Sequence, residues 1–267
     1  MGNLFNPHYP LTSGRKRMLG IGAVLLLLAV WALVSMTGMV SPNKLPSPVA
    51  VVKAFAYLAW DGDTGQSLLS QAALASIGRI AAAGLIVIAI GIPIGIVMGS
   101  SQPINAALSP LIDPFRSAPV VALLPILVMW LGIGEVMKIV FLVIGAIVYL
   151  IPLVRDAVQA VPQTHWISAR DLGATHSECI RHAVLPLAAP RIFDAVTVCV
   201  SVMWTYITVA EYVNAGQGLG QLIQNARRFS AMDQVFAGIF VIILLALLTY
   251  QGMQWARHRL FGWETEQ

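Results

Sequence analysis

The chain has 267 residues, 58% of them hydrophobic and only 10% charged, with a mean hydropathy of +0.78. Soluble domains carry about 25% charged residues, which excludes a soluble globular protein and requires an integral membrane protein. The net charge of +4 fits arginines and lysines flanking apolar spans on the cytoplasmic side, and no basic stripe interleaved with aromatics marks a nucleic-acid surface.

Residues 1–17 read as a polar cytoplasmic tail ending in Arg15-Lys16-Arg17, and an uncharged run follows from Met18 to Met39. A bilayer takes about 20 apolar residues, so 18–39 is the first expected transmembrane helix. Its apolar core is longer than that of a signal peptide, and no small-x-small cleavage site follows convincingly. Residues 40–66 leave the membrane. Leu45-Pro46-Ser47-Pro48 starts a helix, with Ser47 as cap and Pro48 in the first turn. Val49 to Trp60 reads as an amphipathic helix lying along the membrane surface, ended by a solvated turn at Asp61-Gly62-Asp63.

Residues 67–256 hold five further spans. Ser67 to Met98 is one long helical run, with Arg79 either near the outer headgroups or buried among helices. Gly91, Gly95 and Gly99 permit close helix approach, and Pro93 can kink the run. Ser100 to Asn105 reads as an inner turn, and Asp113 and Arg116, one turn apart, are expected to pair. Pro114, Pro119 and Pro125 make the third span irregular. Irregular backbone at membrane depth is tolerated only against protein or a watery cavity, so this span lines a path or is a kinked packing helix. Leu131 to Glu135 is an outer turn, Ile139 to Val154 a short fourth span, Ala195 to Ala210 the fifth and Gln234 to Ala256 the sixth. Asn214 to Asp233 lies outside, and 257–267 is a cytoplasmic C-terminus. Most arginines fall on the inner side of this scheme, while Lys44, Lys53, Lys138, Arg227 and Arg228 fall outside.

The longest polar segment is Pro162 to Pro190, which faces water as a two-helix knob. Thr164 caps its first helix, and Gly173 suits the left-handed position that ends one. Thr175-His176-Ser177-Glu178 fits a capping box, and the second helix is expected to stop before Pro186. Cys179 and Cys199 lie at different depths, which disfavours a disulfide. His176 and His182 beside Cys179 fall short of the about four ligands of a zinc site.

Arg79, Pro125, Met129, Trp204 and Glu211 are the candidates for a translocation path or gate, with Trp130 and Met203 as further possible contacts. Trp204 and Glu211 are seven residues apart and share a helix face. Glu211 lines an outer mouth, latches a gate, or is simply an interfacial carboxylate. On an anion path it would need a cation partner, for which Arg79 is available. All five histidines fall in aqueous segments, so no intramembrane hydrolase site is evident. No internal repeat supports an ion-coupled carrier. No G-x-x-x-x-G-K-[ST] phosphate loop is present.

The run Ala169-Arg170-Asp171-Leu172-Gly173-Ala174, with Leu185-Pro186 and Pro190 beyond it, resembles the cytoplasmic loop of bacterial ABC importer permeases, whose pattern is Glu-Ala-Ala, then Gly, then Leu-Pro. The Glu-Ala-Ala positions read Ile167-Ser168-Ala169 here, so the family's acidic residue is missing, and Asp171 is the available replacement. Leu108 to Pro114, Leu123-Leu124-Pro125, Trp130 to Glu135 and Gly218-Leu219-Gly220 resemble the permeases for taurine, aliphatic sulfonates, nitrate and bicarbonate-like anions. Permeases for thiamine precursors or riboflavin look similar. The resemblance implies an all-α polytopic membrane protein with six transmembrane helices and the type I ABC importer permease fold, in the bacterial inner membrane with both termini cytoplasmic. It implies that Ile167, Ser168, Ala169, Arg170, Asp171, Leu172, Gly173, Ala174 and Thr175, within the coupling loop 162–186, dock onto an ATPase. The implied partners are a second copy of the chain, two ATP-binding subunits, a periplasmic substrate-binding protein and membrane lipid. ATP and Mg would be bound by the partner ATPase, and no cofactor by this chain, which would not be an enzyme.

Overall fold

The computed structural model describes residues 12–60, 67–213 and 216–263. The polar residues 1–11, the expected turn at Asp61-Gly62-Asp63, Asn214 and residues 264–267 lie outside that set. The described residues contain no strand. In chain order the helices are α1 (Ser13–Met36), α2 (Pro48–Ala59), α3 (Leu68–Ser100), α4 (Gln102–Ile112), α5 (Leu124–Leu131), α6 (Glu135–Gln159), α7 (Gln163–Asp171), α8 (His176–Glu178), α9 (Leu185–Tyr212), α10 (Leu219–Arg228) and α11 (Met232–Leu260). Among the described residues, five helical runs are long and apolar enough to cross a membrane. A sixth is gained if Gln102–Arg116 and Val120–Leu131, bent by 90° at their junction, count as one span. That bend lies at Ser117-Ala118-Pro119, between two short 3-10 turns.

Local chemistry sets the helix starts. The Ala50 N–H donates to the Ser47 hydroxyl at 3.2 Å, with Pro48 in the first turn of α2. The Ser70 N–H donates to the Ser67 hydroxyl at 3.1 Å at the head of α3. Such caps satisfy amides that have no intrahelical acceptor.

The core is built on α6, which packs between α3 and α9. Gly91, Gly95 and Gly99, four apart along α3, face Leu150, Val154 and Val158, four apart along α6. A Cβ at any of the three glycines would come under 3.0 Å of its partner side chain. The two helices are therefore in backbone-close contact, as small residues allow in lipid. Gly145 of α6 does the same against the Tyr206 ring of α9. Leu142, Ala146, Leu150 and Val154 are fully enclosed along α6. Helix α1 stands apart, its side chains mostly exposed. It is tied by Trp31, whose Nε1 donates to the Pro46 carbonyl at 3.1 Å and whose ring lies against Phe236 and Phe240 of α11.

Five local expectations are corrected. Helix α7 begins at Gln163 directly after Pro162, so Thr164 is already a helical residue and caps nothing. The knob's second helix does not stop before Pro186. The chain runs on from His176 to Tyr212. A wide π turn at Cys179–Val184 rearranges the hydrogen bonding just ahead of the proline, whose missing N–H would otherwise interrupt a regular ladder. Asp113 does not pair with Arg116. Arg155 of α6 takes it, Nη1 to Oδ2 at 2.9 Å, because that largely buried guanidinium needs a counter-charge. The inner turn shrinks to Ser101, since Pro103 fits the first turn of α4. Finally, Lys138 is no loop cation: it sits inside α6 and is 1% exposed.

Candidate functional site

Two regions at opposite ends of the bundle carry the chemistry. The knob follows α6, and its shape comes from its capping. Gly173 sits at φ +88°, a conformation that costs other residues but not glycine. Its N–H donates to the Arg170 carbonyl at 2.9 Å, and the Ala174 N–H donates to the Ala169 carbonyl at 3.1 Å. These bonds close α7 and reverse the chain. Thr175 then starts α8 with a reciprocal cap. The Thr175 N–H donates to Glu178 Oε2 at 2.7 Å, and the Glu178 N–H donates to the Thr175 hydroxyl at 3.4 Å. The Trp166 ring meets the His176 ring edge-on at 4.7 Å, locking α7 against α8. At the tip, Leu172 is 89% exposed. Ile167, Ser168, Arg170, Asp171, Gly173 and Thr175 are exposed with it, while Ala169 and Ala174 are half-buried beneath. The nine residues expected to dock a partner therefore form one continuous surface with an apolar point.

At the other end, four charged side chains from three helices meet. Arg79 of α3 donates through Nη1 to Glu211 of α9 at 2.6 Å, and through Nε and Nη2 to both carboxylate oxygens of Glu135 at 2.6 and 2.7 Å. Lys138 Nζ, one turn along α6, donates to Glu135 Oε1 at 3.1 Å. The Ser76 hydroxyl lies 2.8 and 3.0 Å from the Glu211 oxygens, and the Gly220 N–H donates to Glu211 Oε2 at 2.8 Å. The Leu219 N–H donates to Ser76 Oγ at 3.0 Å. Two cations balance two anions, so the cluster is neutral. Arg79, Lys138 and Glu211 are buried, whereas the Glu135 side chain is 57% exposed. Charges can be held away from water only when paired and hydrogen-bonded in this way.

Gly218 and Gly220 exist for this cluster. Gly218 adopts φ +152° and ψ 159°, a region that is essentially glycine-only. A Cβ there would run into the Glu211 carboxylate, and one at Gly220 would stand 2.7 Å from the Thr208 carbonyl oxygen. The Gly-Leu-Gly run thus lays the first turn of α10 directly on Glu211.

The path candidates divide between these settings. Arg79 and Glu211 meet, as the sequence suggested for a paired carboxylate. Trp204 is enclosed along the same helix as Glu211, and its Nε1 donor is buried with no acceptor among the described residues. Pro125 and Met129 lie elsewhere, on the exposed side of α5, with Met129 at 74% exposure. Met203 is buried and Trp130 exposed. Sequence reasoning missed Ser76, Glu135 and Lys138 as partners. The available signal was Glu135 and Lys138 at i,i+3 where a span begins, which places both on one helix face. Among the described residues no cluster of His, Cys, Asp and Glu could hold a metal, and Cys179 and Cys199 are both free thiols.

Comparison with known proteins places this architecture. Residues 91–262 match the family model "Binding-protein-dependent transport system inner membrane component". The chain is 34% identical over 252 residues to the taurine transport system permease protein TauC of Escherichia coli K12, covering 94% of this chain and 92% of that one. It is 30% identical to the putative aliphatic sulfonates transport permease protein SsuC of Bacillus subtilis 168, covering 94% and 90%. Among solved structures, the MetNI methionine ABC transporter in an inward-facing conformation superimposes with a TM-score of 0.63 at 24% identity, over 72% of this chain and 94% of that one. That likeness shows a shared fold. The chain accordingly belongs to the binding-protein-dependent inner membrane component family, as the permease component of an ABC importer and a multi-pass inner-membrane protein.

Proposed function

We propose that this permease imports a small sulfonate or a similar anion, as a homodimer resting on two ATPase subunits and fed by a periplasmic binding protein. The observation that carries the coupling part is the knob. An exposed leucine at the apex of a glycine-closed turn is costly to leave in water and is suited to a groove on a partner. In this reading α7 and the turn through Thr175 dock on the ATPase. Both termini lie on that cytoplasmic side, and the charge cluster faces the binding protein. ATP and Mg sit on the ATPase, and this chain performs no chemistry. ATP-driven closure draws the two knobs together and opens the far end of the bundle, and hydrolysis resets it. Ile167 stands at the acidic position of the loop pattern this segment resembles, so Asp171 or Arg170 supplies the polar contact with the ATPase. The sulfonate assignment rests on what the relatives are named for, together with the buried Arg79 and Lys138 at the end that would receive an anion.

The test is reconstitution. The chain is co-expressed with the ATPase and binding protein encoded beside it, and ATP hydrolysis is measured in proteoliposomes with taurine, alkanesulfonates, nitrate, bicarbonate or a thiamine precursor. Stimulation by binding protein loaded with a sulfonate supports the reading. Stimulation by a vitamin precursor alone would replace the substrate, and transport without any ATPase would reject the importer mechanism.

A further inference from the structure

In the charge cluster, Glu135 differs from the other three members. Glu211 is 1% exposed and gripped by Arg79, Ser76 and the Gly220 amide. Arg79 and Lys138 are buried as well. Glu135 alone leaves much of its side chain uncovered by the rest of the chain, at 57%. Its carboxylate takes the planar two-pronged face of Arg79 and the ammonium of Lys138 at once. That is the geometry with which guanidinium and ammonium groups receive a free carboxylate or oxoanion. Glu135 is also the first residue of α6, directly after Gly132-Ile133-Gly134. Its carboxylate therefore lies in the first turn, where the helix dipole favours an anion.

The consequence follows from charge counting. Glu211 cannot leave without stranding its charge among buried partners, whereas Glu135 can swing into water and be hydrated there. Its departure leaves two buried cations facing one carboxylate, and a single incoming anion restores neutrality. We propose that Arg79 and Lys138 form an anion-receiving site opening where α6 begins, that Glu135 fills it as a built-in counter-ion, and that the transported sulfonate displaces Glu135 during uptake. A sulfonate offers three oxygens to the Arg79 fork and Lys138. This rests on the sulfonate-import reading above and deepens it by naming the permease residues that meet the substrate. A site already filled by a carboxylate holds substrate weakly, which suits a step that must also release it.

The experiment uses the complete permease–ATPase complex in detergent without binding protein, with methanesulfonate and taurine as probes and sodium chloride at equal ionic strength as reference. Glu135→Gln removes the competing charge at nearly constant shape. It is expected to raise the methanesulfonate-dependent shift in melting temperature, and the apparent affinity, at least tenfold over native. Glu135→Gln with Lys138→Gln restores neutrality without an anion and is expected to lose that gain. Should Glu135→Gln fail to assemble, Glu135→Asp withdraws the carboxylate by one methylene and is expected to show a smaller gain of the same sign. Equal responses of native, Glu135→Gln and Glu135→Asp complexes would overturn the inference, as would a gain that survives loss of Lys138. The import reading is judged separately, by sulfonate-stimulated ATP hydrolysis of the native complex. A native complex that imports sulfonate while Glu135 variants show no altered anion response sinks this site alone.

Discussion

Gly95 of α3 and Val154 of α6 lie so close that a Cβ at residue 95 would stand 2.6 Å from the Val154 Cβ and 2.9 Å from the Ile151 carbonyl oxygen. The second contact is with backbone, which cannot rotate away. Gly95→Ala is therefore expected to destabilise the bundle by about 1–3 kcal/mol, the usual cost of overpacking a tight core. Val154→Gly in the same chain removes the side-chain clash but leaves the Ile151 carbonyl contact, and should recover part of the loss. Thermal unfolding of the native chain and the two variants in detergent checks this, and full recovery would show that the carbonyl contact relaxes freely.

Glu211→Gln breaks a buried pair while leaving Arg79 charged. Losing one partner of such a pair costs about 3–5 kcal/mol. Arg79→Gln combined with Glu211→Gln removes both charges and should cost less than the two single changes summed, since residues in contact do not add independently. Denaturation of the four proteins measures the coupling. Strict additivity would mean that the 2.6 Å contact contributes nothing to the fold.

At the knob, Leu172→Asp should leave the fold intact, because the side chain is 89% exposed. It should nonetheless reduce co-purification of the ATPase about tenfold, the loss that corresponds to about 1.4 kcal/mol of binding. Gly173→Val meets nothing within 4 Å but must adopt φ +88°. It is expected to distort the turn and uncouple ATP hydrolysis from transport. Unaltered coupling in both variants would reject the docking surface.

Trp204 carries a buried indole N–H without an acceptor among the described residues. An unsatisfied buried donor costs about 1–3 kcal/mol, so Trp204→Phe is expected to be neutral or mildly stabilising by melting temperature. If the N–H finds its acceptor in another stage of the transport cycle, the same variant will transport more slowly at unchanged stability. A clear destabilisation would mean that ring volume dominates.

Membrane orientation can be read from Ser177→Cys, since the native Cys179 and Cys199 are both buried and give little background. Labelling of right-side-out vesicles by an impermeant maleimide should fail and should succeed after inversion. The opposite pattern would reverse the topology.

The parts of the fold that depend on near neighbours could be read directly from the chain. The Ser47-Pro48 start, the Thr175–Glu178 cap, the left-handed Gly173 and the Gly91-Gly95-Gly99 ladder all announce themselves within a few residues. What could not be read is pairing across the sequence. Lys138 looked like a loop cation because it follows a glycine-containing turn and the uncharged run begins only at Ile139. Only the packing of α3 against α6 reveals that Arg79, 56 residues away from Glu135, shares its carboxylate. Arg116 lost Asp113 to Arg155 for the same reason, because one turn of proximity cannot compete with a largely buried guanidinium from another helix. Pro186 misled differently: a proline is a sound stop signal unless a wide turn precedes it.

The continuity of residues His176 to Tyr212 makes the knob and the charge cluster two ends of one rod. From Leu185 to Glu211 a helix rises on the order of 40 Å, so a tilt of about 5° at the knob end would carry Glu211 sideways by about 3 Å. Glu211 is held by Arg79, Ser76 and the Gly220 amide, so such a stroke would be passed on to α3 and α10. A lever of this kind would carry a movement too small to unseat the knob into the charge cluster at the other end of the bundle.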